Sequence, residues 1–225
     1  MRGHVLFPQY LQPVSRFFRE RRNRRLGDMI DQAAHRKGAR IEVLDIGGSL
    51  IFWETIAEPA RAKCNVSIIN LPDAYDETLH KEADLKDGCT LLTGDARDLS
   101  RFADGSFDLI VCNSVIEHVG SWMDMVAAAT EARRVGQRGW VQVPAFEFPI
   151  EQHFLLPFVH WFADPIQVKV LSLFHGVSKH RSVTERYDSV QHIRPLTRNQ
   201  LAVLFPGTAI QSEWLGFPKS HIAIW

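Results

Sequence analysis

IEVLDIGG, residues 41–48, is a short apolar run that ends in two glycines. Such a run is typical of a buried strand that leads into a tight turn, because parallel strands are covered on both faces. Glycines at a strand-to-helix turn let backbone N–H groups approach a ligand, and the N-terminus of the following helix favours a carboxylate or a phosphate. The stretch therefore predicts an α/β sheet with a candidate ligand site, although a purely structural glycine turn would have the same sequence.

The pattern continues downstream, where apolar runs alternate with helical segments. Four further strands are predicted, namely NVSIIN (65–70), CTLLTGD (89–95), FDLIVCNS (107–114) and WVQVP (140–144). Helices are predicted over 14–36, about 52–62, 121–135 and 196–205. The runs 208–215 and 219–225 flank the turn GFP and predict a terminal β-hairpin. Strands that alternate with helices indicate a parallel sheet with right-handed crossovers.

The region 146–193 departs from this alternation, since it is rich in Phe, Trp, His and Pro and shows no clear strands. We predict a largely helical insertion there. The chain of 225 residues is then a single domain in four parts. These parts are an N-terminal helical segment (1–40), the core that carries the ligand site (41–145), the helical cap (146–193), and a helix with the terminal hairpin (194–225).

Composition narrows the possible functions. Lys plus Arg and Asp plus Glu are 26 each, so the net charge is zero and no general attraction to nucleic acid is expected. The basic run 16–25 is interpreted as a solvated helix face, with contact to anionic lipid or to a phosphorylated substrate as the alternative. The three cysteines are scattered, which is typical of reduced thiols in a cytoplasmic protein. The sequence also contains no apolar stretch long enough to cross a membrane and no signal sequence, so we predict a cytoplasmic protein. Paired Cys or His spacing is absent, so no metal site is predicted, and no oligomeric state is assigned.

Short polar side chains follow the predicted strands. Asn70, Asp95, Asn113 and Ser114 each come directly after an apolar run. Ligands of doubly wound sheets bind outside the carboxyl ends of the strands, so these residues predict one shared site. A dinucleotide fingerprint would have a third glycine where residues 50–52 are Leu-Ile-Phe, which disfavours a nicotinamide cofactor.

The sequence resembles class I S-adenosylmethionine-dependent methyltransferases, and most closely the bacterial branch that acts on small molecules. The resemblance extends from about Ile41 to Pro144 and is carried by VLDIGG, IINLP and TGDARDLSRFADGSFDLIVCNSVIEHVGSW. It implies a Rossmann-like α/β fold with a seven-stranded sheet, an antiparallel last strand, and helices on both faces. It also implies S-adenosylmethionine as the cofactor.

The resemblance assigns roles at the first two strand ends. Asp45 and the backbone of Gly47 and Gly48 would hold the methionine end of the cofactor. Asn70, with Leu71 beside it, stands where the family usually has an acidic residue that binds the ribose hydroxyls. Because Asn70 carries no charge, we expect it to hold the ribose less strongly.

The resemblance also assigns roles at the later strand ends. Asp95 would accept a hydrogen bond from the adenine amino group, with Ala96 against the ring. Asn113 and Ser114 would line the floor near the methionine amine and the sulfonium. Beyond them, Glu117 and His118 would face the methyl-transfer pocket.

Catalysis needs a general base only if the acceptor must lose a proton. His118 is the first candidate, because imidazole titrates near neutral pH, and the alternative is that it caps or orients the next helix. In the insertion, Glu151 and His153 are predicted to turn toward the pocket while neighbouring aromatic residues pack on the sheet.

The sequence thus predicts a methyltransferase that acts on an oxygen, nitrogen or carbon atom of a small molecule. A non-catalytic cofactor-binding or scaffold domain of the same fold is the first alternative, and a nicotinamide oxidoreductase is the second.

Overall fold

The computed structural model describes residues 12–72, 88–173 and 182–225, which form a seven-stranded sheet. Its strands are β1 (Ile41–Ile46), β2 (Cys64–Asn70), β3 (Cys89–Thr93), β4 (Leu109–Asn113), β5 (Gly139–Pro144), β6 (Ala209–Leu215) and β7 (Phe217–Ile224). Their order is β3-β2-β1-β4-β5-β7-β6. Strands β1 to β5 pair in parallel, whereas β7 is antiparallel to β5 and β6. The predicted sheet with its antiparallel last strand is confirmed.

The helices in the described part of the chain are α1 (Gln12–Lys37), α2 (Leu50–Glu54), α3 (Glu58–Arg61), α4 (Trp122–Val135), α5 (Asp164–Leu173), α6 (Val183–Gln191) and α7 (Arg198–Leu204). Single 3-10 turns occur at Ile116–His118 and Val159–Trp161. The helix predicted over 52–62 is divided into α2 and α3. Pro59 explains the division, since proline lacks the N–H that a helix interior needs but fits the first turn of a new helix.

Helices cover both faces of the sheet, as predicted. One face packs against α4 and α7 through a core that includes Leu44, Ile110, Ala128, Val141 and Leu201. The other face packs against α1, α2 and α3 through a core that includes Leu26, Ile30, Val43, Trp53 and Trp140. The site therefore rests on a sheet that is held from both sides.

The insertion leaves the sheet after β5, and the chain returns beside the end of β5 at Leu196. Ala145 and Leu196 form a parallel bridge, and the backbone N–H of Phe146 donates to the Leu196 carbonyl. In the described part of 146–193, α5 and α6 lie on either side of residues 174–181, which are outside the described residues, and the 3-10 turn Val159–Trp161 precedes them. Residues 146–158 form turns, because Pro149 and Pro157 interrupt any helix there. Part of the insertion has its own apolar cluster, composed of Phe154, Leu156, Val159, Val168, Leu171 and Val190.

The basic run on α1 is only partly solvated. Arg22 lies 3.4 Å from a carboxylate oxygen of Glu213, and their side chains are 15% and 2% exposed. The guanidinium of Arg25 lies 5.9 Å from the centre of the Trp140 ring. These two arginines therefore anchor α1 to the sheet. None of the described helices combines the length and apolar character that a bilayer span requires.

Ile30→Ala should test how α1 is held. Ile30 is completely buried between α1 and the sheet, so its truncation should cost about 2–4 kcal/mol in the free energy of unfolding. Urea denaturation measures this change. Asp28→Ala, at an exposed position on the same helix, is the control and should change stability by less than about 0.5 kcal/mol. Equal effects of the two substitutions would mean that α1 is not packed as described.

Candidate active site

A cavity of about 540 Å³ opens at the carboxyl ends of β1 to β4. The strand order changes direction at β1, which lies between β2 and β4, and α/β sheets bind ligands at such a switch point. The predicted site residues that line the cavity are Gly47, Asn70, Leu71, Asp95, Ala96, Ser114, His118 and His153. The other predicted site residues, Asp45, Gly48, Asn113 and Glu151, do not line it.

The glycine turn has no room for side chains. Gly47 has a positive φ of 69°, and a Cβ there would lie 2.5 Å from a methyl carbon of Val115. A Cβ on Gly48 would lie 1.7 Å from a carboxylate oxygen of Asp45. Both glycines are therefore required by close contacts, which keeps the backbone of Gly47 at the cavity surface.

Asp45 lies beneath this turn and is completely buried. The indole N–H of Trp53 donates to Asp45 Oδ2 at 2.7 Å, while Oδ1 accepts no hydrogen bond from the described residues. Burial raises the pKa of Asp45 to about 7, and the hydrogen bond from Trp53 opposes this shift. The structure thus places Asp45 as a support of the turn rather than on the cavity surface. Trp53 could not be found from sequence, because only the fold shows where α2 points its indole ring.

Asn70 connects the end of β2 to the same turn. Its side-chain Nδ2 donates to the Gly48 carbonyl at 3.0 Å. A carboxylate at this position could not donate, so the amide has a structural use that the usual acidic residue would not have. The next residue, Leu71, is 53% exposed and lines the cavity.

Asp95 is held by a residue that the sequence analysis did not single out. The backbone N–H of Arg97 donates to Asp95 Oδ1 at 2.9 Å, and the Arg97 guanidinium binds both carboxylate oxygens. Arg97 also donates to Asp124 at 3.0 Å. The hydrogen bond from the Arg97 side chain lowers the pKa of Asp95. Asp95 is therefore a charged acceptor with a fixed orientation at one end of the cavity.

The end of β4 contributes Ser114 to the cavity. Ser114 has a positive φ of 56°, and its hydroxyl donates to the side-chain oxygen of Gln142 at 2.9 Å. This left-handed backbone is uncommon for serine, and such strain is frequent at functional sites. Asn113 precedes the bend and pairs with Gln142 in the sheet register.

Three polar residues, His118, His153 and Glu151, meet at the side of the cavity that the insertion covers; Glu117, which was expected to face the pocket, lies beside them but is completely buried and does not line the cavity. His118 Nε2 lies 3.1 Å from His153 Nε2, and His153 Nδ1 donates to Glu151 Oε1 at 2.7 Å. Glu151 is buried and also accepts from the backbone N–H of His153 and Phe154. Burial lowers the pKa of His153, but the hydrogen bond and charge of Glu151 outweigh it, so the net shift is upward. The predicted catalytic residues are thus in mutual contact.

Comparison with known proteins identifies the core. Residues 44–141 match a family model described as a methyltransferase domain. A search of curated protein sequences gives no match. The resemblance to class I S-adenosylmethionine-dependent methyltransferases that the sequence carries is confirmed by the family match.

Solved structures share the fold at low sequence identity. Magnesium protoporphyrin IX methyltransferase from Synechocystis PCC 6803, with bound S-adenosylhomocysteine, is 14% identical, with a TM-score of 0.58 over 100% of this chain and 89% of that one. An O-methyltransferase from neocarzinostatin biosynthesis is 12% identical, with a TM-score of 0.50 over 81% of this chain and 48% of that one. A candidate zinc-dependent alcohol dehydrogenase from Rhodobacter sphaeroides is 14% identical, with a TM-score of 0.56 over 83% and 84% of the two chains. These likenesses show the fold alone.

Asp45→Asn should remove a pH dependence of stability. An unfolded aspartate has a pKa of about 4, whereas that of Asp45 in the folded chain is about 7. Between these values the folded state keeps a proton that the unfolded state releases, so stability falls as the pH rises. The variant mimics the neutral form and should exceed the wild type by on the order of 1–3 kcal/mol at about pH 8, with little difference at about pH 4. Chemical denaturation across this range measures it, and the exposed Asp28→Asn serves as control; a constant difference at all pH values would contradict the assignment.

Asn70→Asp should destabilise the protein although it introduces the acidic residue usual in the family. The carboxylate loses the donor to Gly48 and places its charge against that carbonyl, which should cost about 1–3 kcal/mol. Urea denaturation measures the loss. Asn199→Asp, at an exposed position in α7, is the matched control and should have little effect. If Asn70→Asp is as stable as the wild type, the hydrogen bond from the Asn70 side chain to Gly48 does not contribute to stability.

Proposed function

We propose that this chain, whose residues 44–141 match a model of a methyltransferase domain, transfers a methyl group from S-adenosylmethionine to an oxygen, nitrogen or carbon atom of a small molecule. The observation that carries the proposal is the cavity at the switch point of the sheet, with the glycine turn at its floor and the oriented Asp95 carboxylate at one end. Its volume of about 540 Å³ lies in the range of small-molecule sites.

The glycine turn fits the methionine end of the cofactor. A Cβ at Gly47 would collide with Val115, and a Cβ at Gly48 would collide with Asp45, so no side chain can cover the backbone of this turn. The N–H of Gly47 donates to the Ile69 carbonyl, which leaves the Gly47 carbonyl as the group suited to the methionine ammonium. Asp45 would act indirectly, by supporting this turn from below.

The ends of β2 and β3 fit the adenosine part. Because the Asn70 amide nitrogen donates to Gly48, its side-chain oxygen is the atom suited to accept from a ribose hydroxyl. Asp95 would accept from the adenine amino group, and Arg97 keeps its carboxylate oriented for that contact. Ala96 and Leu71 would supply apolar contacts to the base.

The acceptor end of the cavity is assigned to Ser114, His118 and His153. When bound, S-adenosylmethionine supplies a methyl group activated by its sulfonium. Transfer is an in-line displacement, so the principal task of the protein is to hold the acceptor in line with that methyl group. His118 and His153, with Glu151 orienting His153, would position the acceptor and, for a hydroxyl, accept its proton. Two proteins of similar fold support a small-molecule acceptor. One is named for magnesium protoporphyrin IX, and the other was crystallised with 1,4-dihydroxy-2-naphthoic acid.

Two alternatives predict different binding. A nicotinamide oxidoreductase is disfavoured by the antiparallel β7 and by Leu50, Ile51 and Phe52, which stand where a dinucleotide turn would have its third glycine. A non-catalytic domain of the same fold would bind S-adenosylmethionine weakly or not at all. Calorimetry with S-adenosylmethionine and with NAD distinguishes the methyltransferase from these two alternatives. Absence of S-adenosylmethionine binding at millimolar concentration would refute our proposal.

Asp95→Ala should weaken S-adenosylmethionine binding by about 10- to 100-fold, because it removes a charge-assisted hydrogen bond worth about 1.5–3 kcal/mol. Isothermal titration calorimetry measures the change in Kd. Asp98→Ala is the matched control, since this neighbouring carboxylate accepts from Ser100 and does not line the cavity. Equal affinities of the wild type and Asp95→Ala would remove Asp95 from the cofactor site.

A further inference from the structure

Glu117, His118 and His153 bring three potential metal-ligand atoms together. These atoms, one from each residue, all lie within 4.8 Å of one another. Glu117 and His118 belong to the 3-10 turn after β4, and His153 comes from the first half of the insertion. The sequence predicts no metal site because it has no paired histidine spacing, but the fold brings His153 to His118 from 35 positions away.

The hydrogen bonds of the two imidazoles leave their Nε2 atoms facing each other as lone pairs. His118 Nδ1 lies 3.2 Å from the His192 carbonyl, which can only accept, so Nδ1 carries the hydrogen. His153 Nδ1 donates to Glu151 in the same way. The two Nε2 atoms therefore face each other across 3.1 Å, and either a proton or a metal cation between them would be shared by both rings.

Glu117 favours the cation over the proton. Its side chain is completely buried, and neither of its oxygens accepts a hydrogen bond from the described residues. One of these oxygens lies 3.9 Å from His118 Nε2. A proton shared by the imidazoles would leave the carboxylate unsatisfied, which is costly at a buried position, whereas a metal ion would bind all three groups.

We propose that Glu117, His118 and His153 bind a divalent transition-metal ion such as Zn²⁺. Two imidazoles and one carboxylate form the donor set of catalytic zinc sites and of other open transition-metal sites. Two nitrogen ligands of a tetrahedral zinc ion lie about 3.3 Å apart, close to the separation of the two Nε2 atoms.

The surroundings match those of metal-binding histidines. Such histidines almost always donate their other ring N–H to a carboxylate or a backbone carbonyl. Here Glu151 and the His192 carbonyl are these acceptors, so both rings are oriented before a metal binds. The buried Glu151 would be a positioning residue that orients His153.

The open side of the proposed site faces the cavity, since His118 and His153 both line it. Metal binding itself does not depend on the proposed function. On the proposed function, the ion would lie at the acceptor end and would bind an oxygen of the acceptor. A bound cation lowers the pKa of a coordinated hydroxyl, so the proton would pass to water in the open cavity and no histidine base would be needed.

The test uses the full chain, purified without a polyhistidine tag and freed of metal with a chelator. Titration calorimetry with ZnCl₂ alone should give one ion per chain, and CoCl₂ should produce the visible absorption bands of a protein-bound ion. Zn²⁺ should also raise the melting temperature of the wild type, because it binds only the folded chain. Absence of stoichiometric Zn²⁺ binding to the wild type would overturn the inference.

Variants locate the ion. His153→Ala and Glu117→Gln should each weaken Zn²⁺ binding at least 10-fold, and Glu151→Gln should do so by about 10- to 100-fold. His192→Ala is the matched control, because alanine keeps the backbone carbonyl that contacts His118 Nδ1, and its affinity should equal that of the wild type. Wild-type affinity in His153→Ala, or an equal loss in His192→Ala, would refute the assignment.

A separate titration with S-adenosylmethionine distinguishes this inference from the proposed function. Zn²⁺ binding without S-adenosylmethionine binding would support the metal site and refute the methyltransferase proposal, whereas the reverse result would refute the metal site alone.

Discussion

The close approach of Gly48 to the buried Asp45 carboxylate is the contact on which the candidate site depends. A Cβ at Gly48 would fall inside that carboxylate, so the chain can follow this path only with glycine. The contact is then fixed from two sides, by the Trp53 indole that donates to Asp45 and by the Asn70 amide that donates to Gly48. Strands β1 and β2 and helix α2 are thereby joined at the floor of the cavity.

The sheet and the floor of the cavity could be predicted because both follow from local patterns. Buried parallel strands are apolar throughout, and their carboxyl ends share one edge of the sheet. Asn70, Asp95 and Ser114 therefore converge whatever the details of the helices between them. The division of the helix over 52–62 was missed, although the cause is also local, since Pro59 begins a new helix.

The partners of the site residues could not be predicted because they depend on packing between distant segments. His153 reaches His118 only through the turns of 146–158, a stretch whose aromatic composition suggested a helix. Trp53 and Arg97 carry no sequence signal for their contacts with Asp45 and Asp95. In each case the sequence shows the group that needs a partner, and only the fold shows which residue supplies it.

The two buried carboxylates near the cavity, Asp45 and Glu117, differ in how their burial is offset. Asp45 receives the Trp53 indole N–H, and burial raises its pKa to about 7, so this site can hold a neutral acid. Burial raises the pKa of Glu117 to about 7 as well, but its oxygens accept no hydrogen bond from the described residues, and it lies beside the imidazoles of His118 and His153. In the proposed site, one cation would bind all three groups at once. The proposed metal ion would offset the burial of Glu117, whereas the Trp53 indole N–H offsets that of Asp45.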